Sequence, residues 1–191
     1  MGDPHSPAMT IGACAWMEKQ WLEGIDERSK EYFTAVRYMD DILLFVAKSE
    51  KFDYKRFIDD LENTVYFSPL KLQDGDKNTF LENTITIKDN KIKYRLKNNN
   101  NFTADVWRYP HYHSYTAKTM KAGILLSAMK KVHKMTSDQN ELIYSAMQKI
   151  SEFAHLQYPK TAIRIACNKM ASTTRESVWF RVRELAYASY Y

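Results

Sequence analysis

Two successive aspartates, Asp40 and Asp41, interrupt a run of residues that is otherwise apolar, aromatic or β-branched. Residues 32–38 are aromatic and β-branched enough for a strand, and residues 42–47 resume as a second, nearly all-apolar strand. Two strands around a short polar break make a β-hairpin. Neighbouring residues on a regular strand point to opposite faces, but a tight turn relaxes this and can expose both carboxylates at the tip. Like charges that close repel, and keeping both ionised requires compensation. A divalent cation supplies it, because carboxylate oxygens are preferred ligands of Mg²⁺ together with substrate phosphates. Two such ions can activate a 3′-hydroxyl and stabilise a departing pyrophosphate during in-line phosphoryl transfer. The competing reading is a surface hairpin tip with two solvated aspartates, and the rest of the chain has to decide.

The remaining pattern is mixed. Met9, Ala13, Trp16 and Met17 recur at helical spacing, so residues 8–22 read as a helix, with Ser6 as N-cap and Pro7 in its first turn. Trp16, Met17 and Trp21 are its expected core contacts. Residues 23–31 are charged and contain a glycine, so they read as a loop. Phe57, Ile58, Leu61 and Val65 mark a helix over 54–66, stopped by Ser68-Pro69. Residues 80–87 alternate, Asp89-Asn90 turns the chain, and Ile92, Tyr94 and Leu96 alternate again, which predicts a second hairpin. An Asn-rich break at 97–101 is the expected boundary. Beyond it an irregular aromatic segment leads into helices predicted near 117–134, 138–155, 160–171 and 175–188, with Ser137 or Asp138 capping one and Pro159 opening another. The fold class is α+β.

Charge divides the chain as well. Residues 1–90 hold eleven Lys/Arg and seventeen Asp/Glu, whereas residues 91–191 hold seventeen and six. A basic half attracts nucleic acid, since each phosphate contact by Lys or Arg releases counterions. A solvated basic surface is the plain alternative. No apolar run approaches the length of a membrane span, so no membrane partner is expected. Cys14 and Cys167 match no zinc or disulfide framework, so a reducing compartment is the default expectation, cytoplasmic or nuclear, with the localisation itself left open.

Several blocks of this sequence resemble the reverse transcriptases, in the family's order and closest to the Penelope-like retroelement branch. Gly2-Asp3-Pro4-His5-Ser6-Pro7 looks like the Gly-x-Pro-x-Ser-Pro block, and Tyr38-Met39-Asp40-Asp41 like the catalytic turn. Phe80-Leu81-Glu82-Asn83-Thr84-Ile85 is similar to the Phe-Leu-Asp-x-x-Ile segment of the primer-grip hairpin. Val106-Trp107-Arg108 with Tyr112 and the Ser114 region looks like a degraded Tyr-Arg-Lys-Pro-Thr and His-Pro block, and Gly123-Ile124-Leu125-Leu126, then Tyr158-Pro159, is similar to the thumb. The resemblance implies the distal part of a polymerase palm over 1–98 and an all-helical thumb over 99–191.

It also implies roles. Asp40 and Asp41 become catalytic ligands of Mg²⁺ or Mn²⁺, with Asp40 the better supported. Gly2, Pro4, Ser6, Tyr38 and Met39 are placed at the nucleotide, and Phe80 and Leu81 at the primer. Lys71 or Lys77 is a candidate to neutralise pyrophosphate. The implied partners are an RNA template, a DNA primer, deoxynucleoside triphosphates and the N-terminal part of the polymerase. The family's other metal-binding aspartate sits on an earlier palm strand that would precede Met1, so this chain alone is expected to lack a complete two-metal site.

Other features are weighed against plainer readings. Lys118, Lys121, Lys130, Lys131 and Lys134 recur at near-helical spacing and are candidates to track a nucleic-acid backbone. Trp107, Tyr109, Tyr112 and Tyr115 are capable of base stacking, but filling a junction is the favoured reading. His111 and His113 lack a third ligand, so a packed loop is favoured over a metal site. Three functions compete: an RNA-directed DNA polymerase fragment, a noncatalytic nucleic-acid-binding remnant, and an RNA-dependent RNA polymerase palm. Tyr38-Met39 in place of a glycine before the aspartates argues against the last.

Overall fold

The computed structural model describes residues 6–67, 72, 75, 78–97 and 108–189. It is a mixed α+β chain that separates into two compact units, Met1–Leu81 and Glu82–Tyr191. The first holds α1 (Ser6–Gly24), α2 (Glu27–Lys30), β1 (Phe33–Tyr38), β2 (Asp41–Val46), α3 (Tyr54–Thr64) and the short β3 (Thr79–Phe80). The second holds β4 (Asn83–Lys88), β5 (Lys91–Leu96) and four helices: α4 (Lys118–Lys134), α5 (Gln139–His155), α6 (Lys160–Thr174) and α7 (Val178–Ser189). None of the described helices is long and apolar enough to cross a membrane.

In the first unit an aromatic cluster joins helix to hairpin. Phe57 of α3 lies 4.5 Å from Phe33, 5.3 Å from Phe52 and 5.5 Å from Trp21, centroid to centroid. Tilted ring pairs at such spacings add to the area they bury. The Trp21 indole N–H donates to Asp60 of α3 at 3.1 Å. Cys14 and Met17 of α1 are buried, but Trp16 is 56% exposed, contrary to its expected place in the core. The inward stripe of α1 runs through Cys14, Met17 and Trp21, and a residue next to Met17 is rotated by about 100° from it. The predicted loop at 23–31 contains α2, capped by Asp26, whose carboxylate accepts from the Ser29 N–H at 3.0 Å. The Ser29 hydroxyl and N–H hold that carboxyl below its usual range.

The second unit has one continuous core. Leu125, Met129 and Val132 of α4 meet Ile150 and Phe153 of α5, Cys167 and Met170 of α6, and Trp179 and Val182 of α7, all fully buried or nearly so. Asp138 caps α5 by accepting from the N–H groups of Asn140 and Glu141 at 2.9 and 3.0 Å. Ser137 takes the other role available to it and pairs with β5. Its N–H donates to the Tyr94 carbonyl at 2.9 Å, and its hydroxyl accepts from the Tyr94 N–H at 3.1 Å.

Lys93 and Arg95 reach α5 in turn, through Asp138 at 3.0 Å and Glu141 at 3.6 Å, and Leu96 is buried in the helical core. These contacts explain why the division falls after Leu81, well before the boundary expected at 98. The second hairpin belongs with the helices, so that part of the chain is not all-helical. The strand predicted over 80–87 is also broken, because Leu81 takes φ 55° and separates β3 from β4.

The end of α5 is a Schellman motif. The Gln157 N–H donates to the Ala154 carbonyl at 2.8 Å and the Tyr158 N–H to the Phe153 carbonyl at 3.0 Å. Tyr158 packs edge-on against Phe153 with centroids 4.8 Å apart. The left-handed position is filled by Gln157, at φ 61°, where glycine is free of the Cβ penalty. Gln157→Gly is therefore expected to stabilise the helical unit by about 1 kcal/mol, read as a higher urea midpoint with an unchanged slope.

Candidate metal and nucleic-acid site

The β1–β2 ladder pairs Phe33 with Val46 and closes on Tyr38 opposite Asp41, which leaves Met39 and Asp40 as the whole connection. A two-residue hairpin loop needs positive φ at one or both positions to match the strand twist. Here it falls on Met39, at φ 52°. A side chain in that region costs about 1–2 kcal/mol, and glycine would carry no such cost. Tyr38, Met39, Asp40 and Asp41 are all exposed, so both carboxylates stand at the tip of the hairpin.

The turn is tied from below by Arg37. Its Nη1 donates to the Met39 carbonyl at 2.6 Å, and its Nε donates to Glu18 Oε1 of α1 at 2.7 Å. The second terminal nitrogen contacts the same Glu18 oxygen and the Tyr66 hydroxyl, and that hydroxyl also donates to Glu18. Burial pulls the Arg37 guanidinium down, but the Glu18 carboxylate outweighs it and holds the group above its ordinary value. Burial, reinforced by Glu18, pushes the Tyr66 phenol up, so it stays a donor at neutral pH. Nothing in the sequence pattern singled out this trio, because its members are 19 and 29 residues apart along the chain. The one signal was a charged residue in an apolar strand directly before the motif.

Among the described residues no group of three or more His, Cys, Asp or Glu side chains gathers to hold a metal. Asp40 and Asp41 alone fit the way Mg²⁺ is usually held, by one or two carboxylates with waters and substrate phosphates making up the shell. Gly2, Pro4, Lys71, Lys77 and Trp107 lie outside the described residues, as does the side chain of Ser6. Phe80 is half-buried and Leu81 exposed, at the end of the first unit.

Lys121 of α4 does not belong to the predicted stripe of surface lysines. Lys121 is 3% exposed, and its ammonium donates to the carbonyls of Tyr112 and Ser114, the latter at 2.7 Å. It holds the 108–116 loop and is not available to a phosphate. Lys131 is ion-paired with Glu82, which Arg108 also approaches at 3.6 Å. Lys118 and Lys130 are exposed, but twelve residues of helix turn them about a third of a circle apart.

Of the aromatics, Tyr109 stacks on Phe153 at 4.8 Å and Tyr112 meets Tyr158 at 5.2 Å, which is packing, whereas Tyr115 stands fully exposed. His111 and His113 lie 5.6 Å apart, and the His111 Nδ1 accepts from the His113 N–H.

Comparison of the sequence with models of protein families finds no match, and comparisons with curated proteins and with solved structures find none either.

Two measurements check this geometry. Met39→Gly is expected to stabilise the first unit by about 1 kcal/mol, since the turn keeps its shape and loses its strain; denaturant unfolding followed by tryptophan fluorescence reads it. Glu82 is held below its ordinary 4.5, first by the Lys131 hydrogen bond and then by the charges of Lys131 and Arg108. Its stabilising contribution is therefore present above the unfolded value and lost as pH falls through the folded one. The urea midpoint of the unaltered chain is expected to drop on acidification below about pH 5 more than that of Glu82→Gln.

Proposed function

We propose that the chain is the distal palm and the thumb of a reverse transcriptase, which extends a DNA primer on an RNA template once the proximal palm and fingers are joined to it. The observation that carries this reading is the two-residue hairpin turn that presents Asp40 and Asp41 side by side at an exposed tip. Their residue types and spacing, with Tyr38 and Met39 before them, are those of the family's catalytic turn. In this reading a bound Mg²⁺ or Mn²⁺ supplies charge neutralisation at the transferred phosphate. Asp40 and Asp41 hold it, and Tyr38 and Met39 lie beside the nucleotide and primer end. Phe80 and Leu81 support the primer.

Two further features support the assignment. The first unit leaves Met9, Ile11 and Trp16 of α1 and Val36 and Tyr38 of β1 exposed. Every apolar residue of β2 is only half-buried, although the unbroken apolar run after Asp41 suits a strand covered on both faces. Apolar surface of this kind fits a further palm element packed against the hairpin and α1. Charge is divided in the sense the reading needs. Residues 1–81 carry ten Lys/Arg and fifteen Asp/Glu, and residues 82–191 carry eighteen and eight. The basic unit suits a duplex backbone.

A second reading is a noncatalytic nucleic-acid-binding remnant, favoured by the lack of a third carboxylate beside Asp40 and Asp41 among the described residues. Primer extension separates the two. With an RNA template, a DNA primer, deoxynucleoside triphosphates and Mg²⁺, the chain fused to its upstream coding region is expected to make product. Asp40→Asn with Asp41→Asn is expected to lower the rate on the order of a thousandfold without unfolding the protein, because several kcal/mol of charge stabilisation leave with the metal. Unchanged extension by the double variant rejects the assignment, and salt-sensitive duplex binding without extension by the fusion selects the remnant.

A further inference from the structure

We infer that Arg37 is a positioning residue for the Asp40 and Asp41 carboxylates, acting through the carbonyl of Met39. The inference deepens the metal-binding reading of the turn and rests on it.

Three observations converge. Met39 is held at φ 52°, a conformation that an unsupported turn without glycine would leave. The carbonyl on that residue accepts a hydrogen bond from Arg37 Nη1, N···O 2.6 Å. Its orientation sets the plane of the Met39–Asp40 peptide, and so where the Asp40 side chain departs from the backbone. Arg37 is itself fixed. Its side chain is 17% exposed, Glu18 of α1 takes two of its nitrogens, and Tyr66 beyond α3 contacts one of them. One planar fork thus refers an exposed turn to two other elements of the same unit. Lysine cannot reproduce this, because an ammonium on a flexible stem lacks the fixed fork that serves Glu18 and the carbonyl together.

The clamp also accounts for a charged residue at a position where β1 is otherwise apolar or β-branched. Arg37 is charged at any working pH, and Glu18 lies partly buried against it. Arg37 therefore gives the turn a support that stays charged near neutrality. Partners that orient metal ligands from behind typically change metal affinity by tenfold or more when removed.

The full 191-residue chain tests this with Mn²⁺ as probe and two NMR readouts: the HN–Hα coupling of Met39, which reports its φ, and paramagnetic broadening of the amides from Tyr38 to Ile42. In Arg37→Lys the coupling is expected to move towards negative φ, and Mn²⁺ binding at the turn is expected to weaken about ten- to hundredfold, with the thermal midpoint taken as a control for folding. A role confined to stability would lower the midpoint and leave the folded protein's coupling and Mn²⁺ affinity alone, which overturns the inference.

Should Arg37→Lys not fold, Glu18→Gln decides. It keeps the arginine and loosens its anchor, so a smaller loss in the same direction supports the clamp, and unchanged broadening and coupling reject it. The metal reading fails separately, if the unaltered chain shows no broadening that Asp40→Asn with Asp41→Asn removes. The Met39 coupling in Arg37→Lys then still decides whether Arg37 holds the turn.

Discussion

A two-residue link between β1 and β2 is the constraint on which the candidate site depends. Strands that pair as far as Tyr38 and Asp41 leave room for Met39 and Asp40 only, and the right-handed twist of the strands requires positive φ in so short a loop. Glycine would meet that requirement without strain. The chain has methionine there instead, at φ 52°, and a hydrogen bond from Arg37 to the carbonyl of that residue. The consequences follow in order. Asp41 remains a strand residue, Asp40 remains a loop residue, and both are exposed at the tip of the hairpin. A longer loop would have separated them and given each more freedom.

Several ionic groups in the second unit do structural work. Lys149 and Glu152 of α5 pair at 2.6 Å with almost no exposure, and Lys149 lies 5.5 Å from the centroid of the Tyr109 ring. A buried pair of this kind adds little net stability by itself, but removing either member strands the other's charge. Lys121 is spent on two loop carbonyls and Lys131 on Glu82. A helix that reads as a basic stripe thus presents fewer free charges than its sequence suggests. The positive balance of the unit is carried by side chains elsewhere as well, among them the exposed Arg164, Lys169, Arg175 and Arg181.

Local structure was largely legible. The helix from Lys118 to Lys134, the cap at Asp138, the start after Pro159 and both hairpin turns follow from short-range rules of period, capping and turn chemistry. Asp89 and Asn90, at φ 53° and 54°, are residue types that tolerate the left-handed region, and they turn the second hairpin as their identities suggest. The misses have a common cause. Trp16, Lys121 and the boundary after Leu81 each depend on what a residue faces, and period alone does not say which of two adjacent helical positions points inward.

By itself the sequence determined the elements and the chemistry on offer: an α+β chain, two carboxylates in a hairpin turn, and a basic C-terminal half. These are properties of residues near one another along the chain. The tertiary structure decided which groups remain available. Glu18, Arg37 and Tyr66 meet only because α1, β1 and the segment after α3 pack together. Lys121 is withdrawn from the surface because the 108–116 loop folds over it, and the second hairpin joins the helices because Ser137, Asp138 and Glu141 pair with its outer strand. Contacts between distant positions depend on the register in which elements pack, and no local pattern encodes that register.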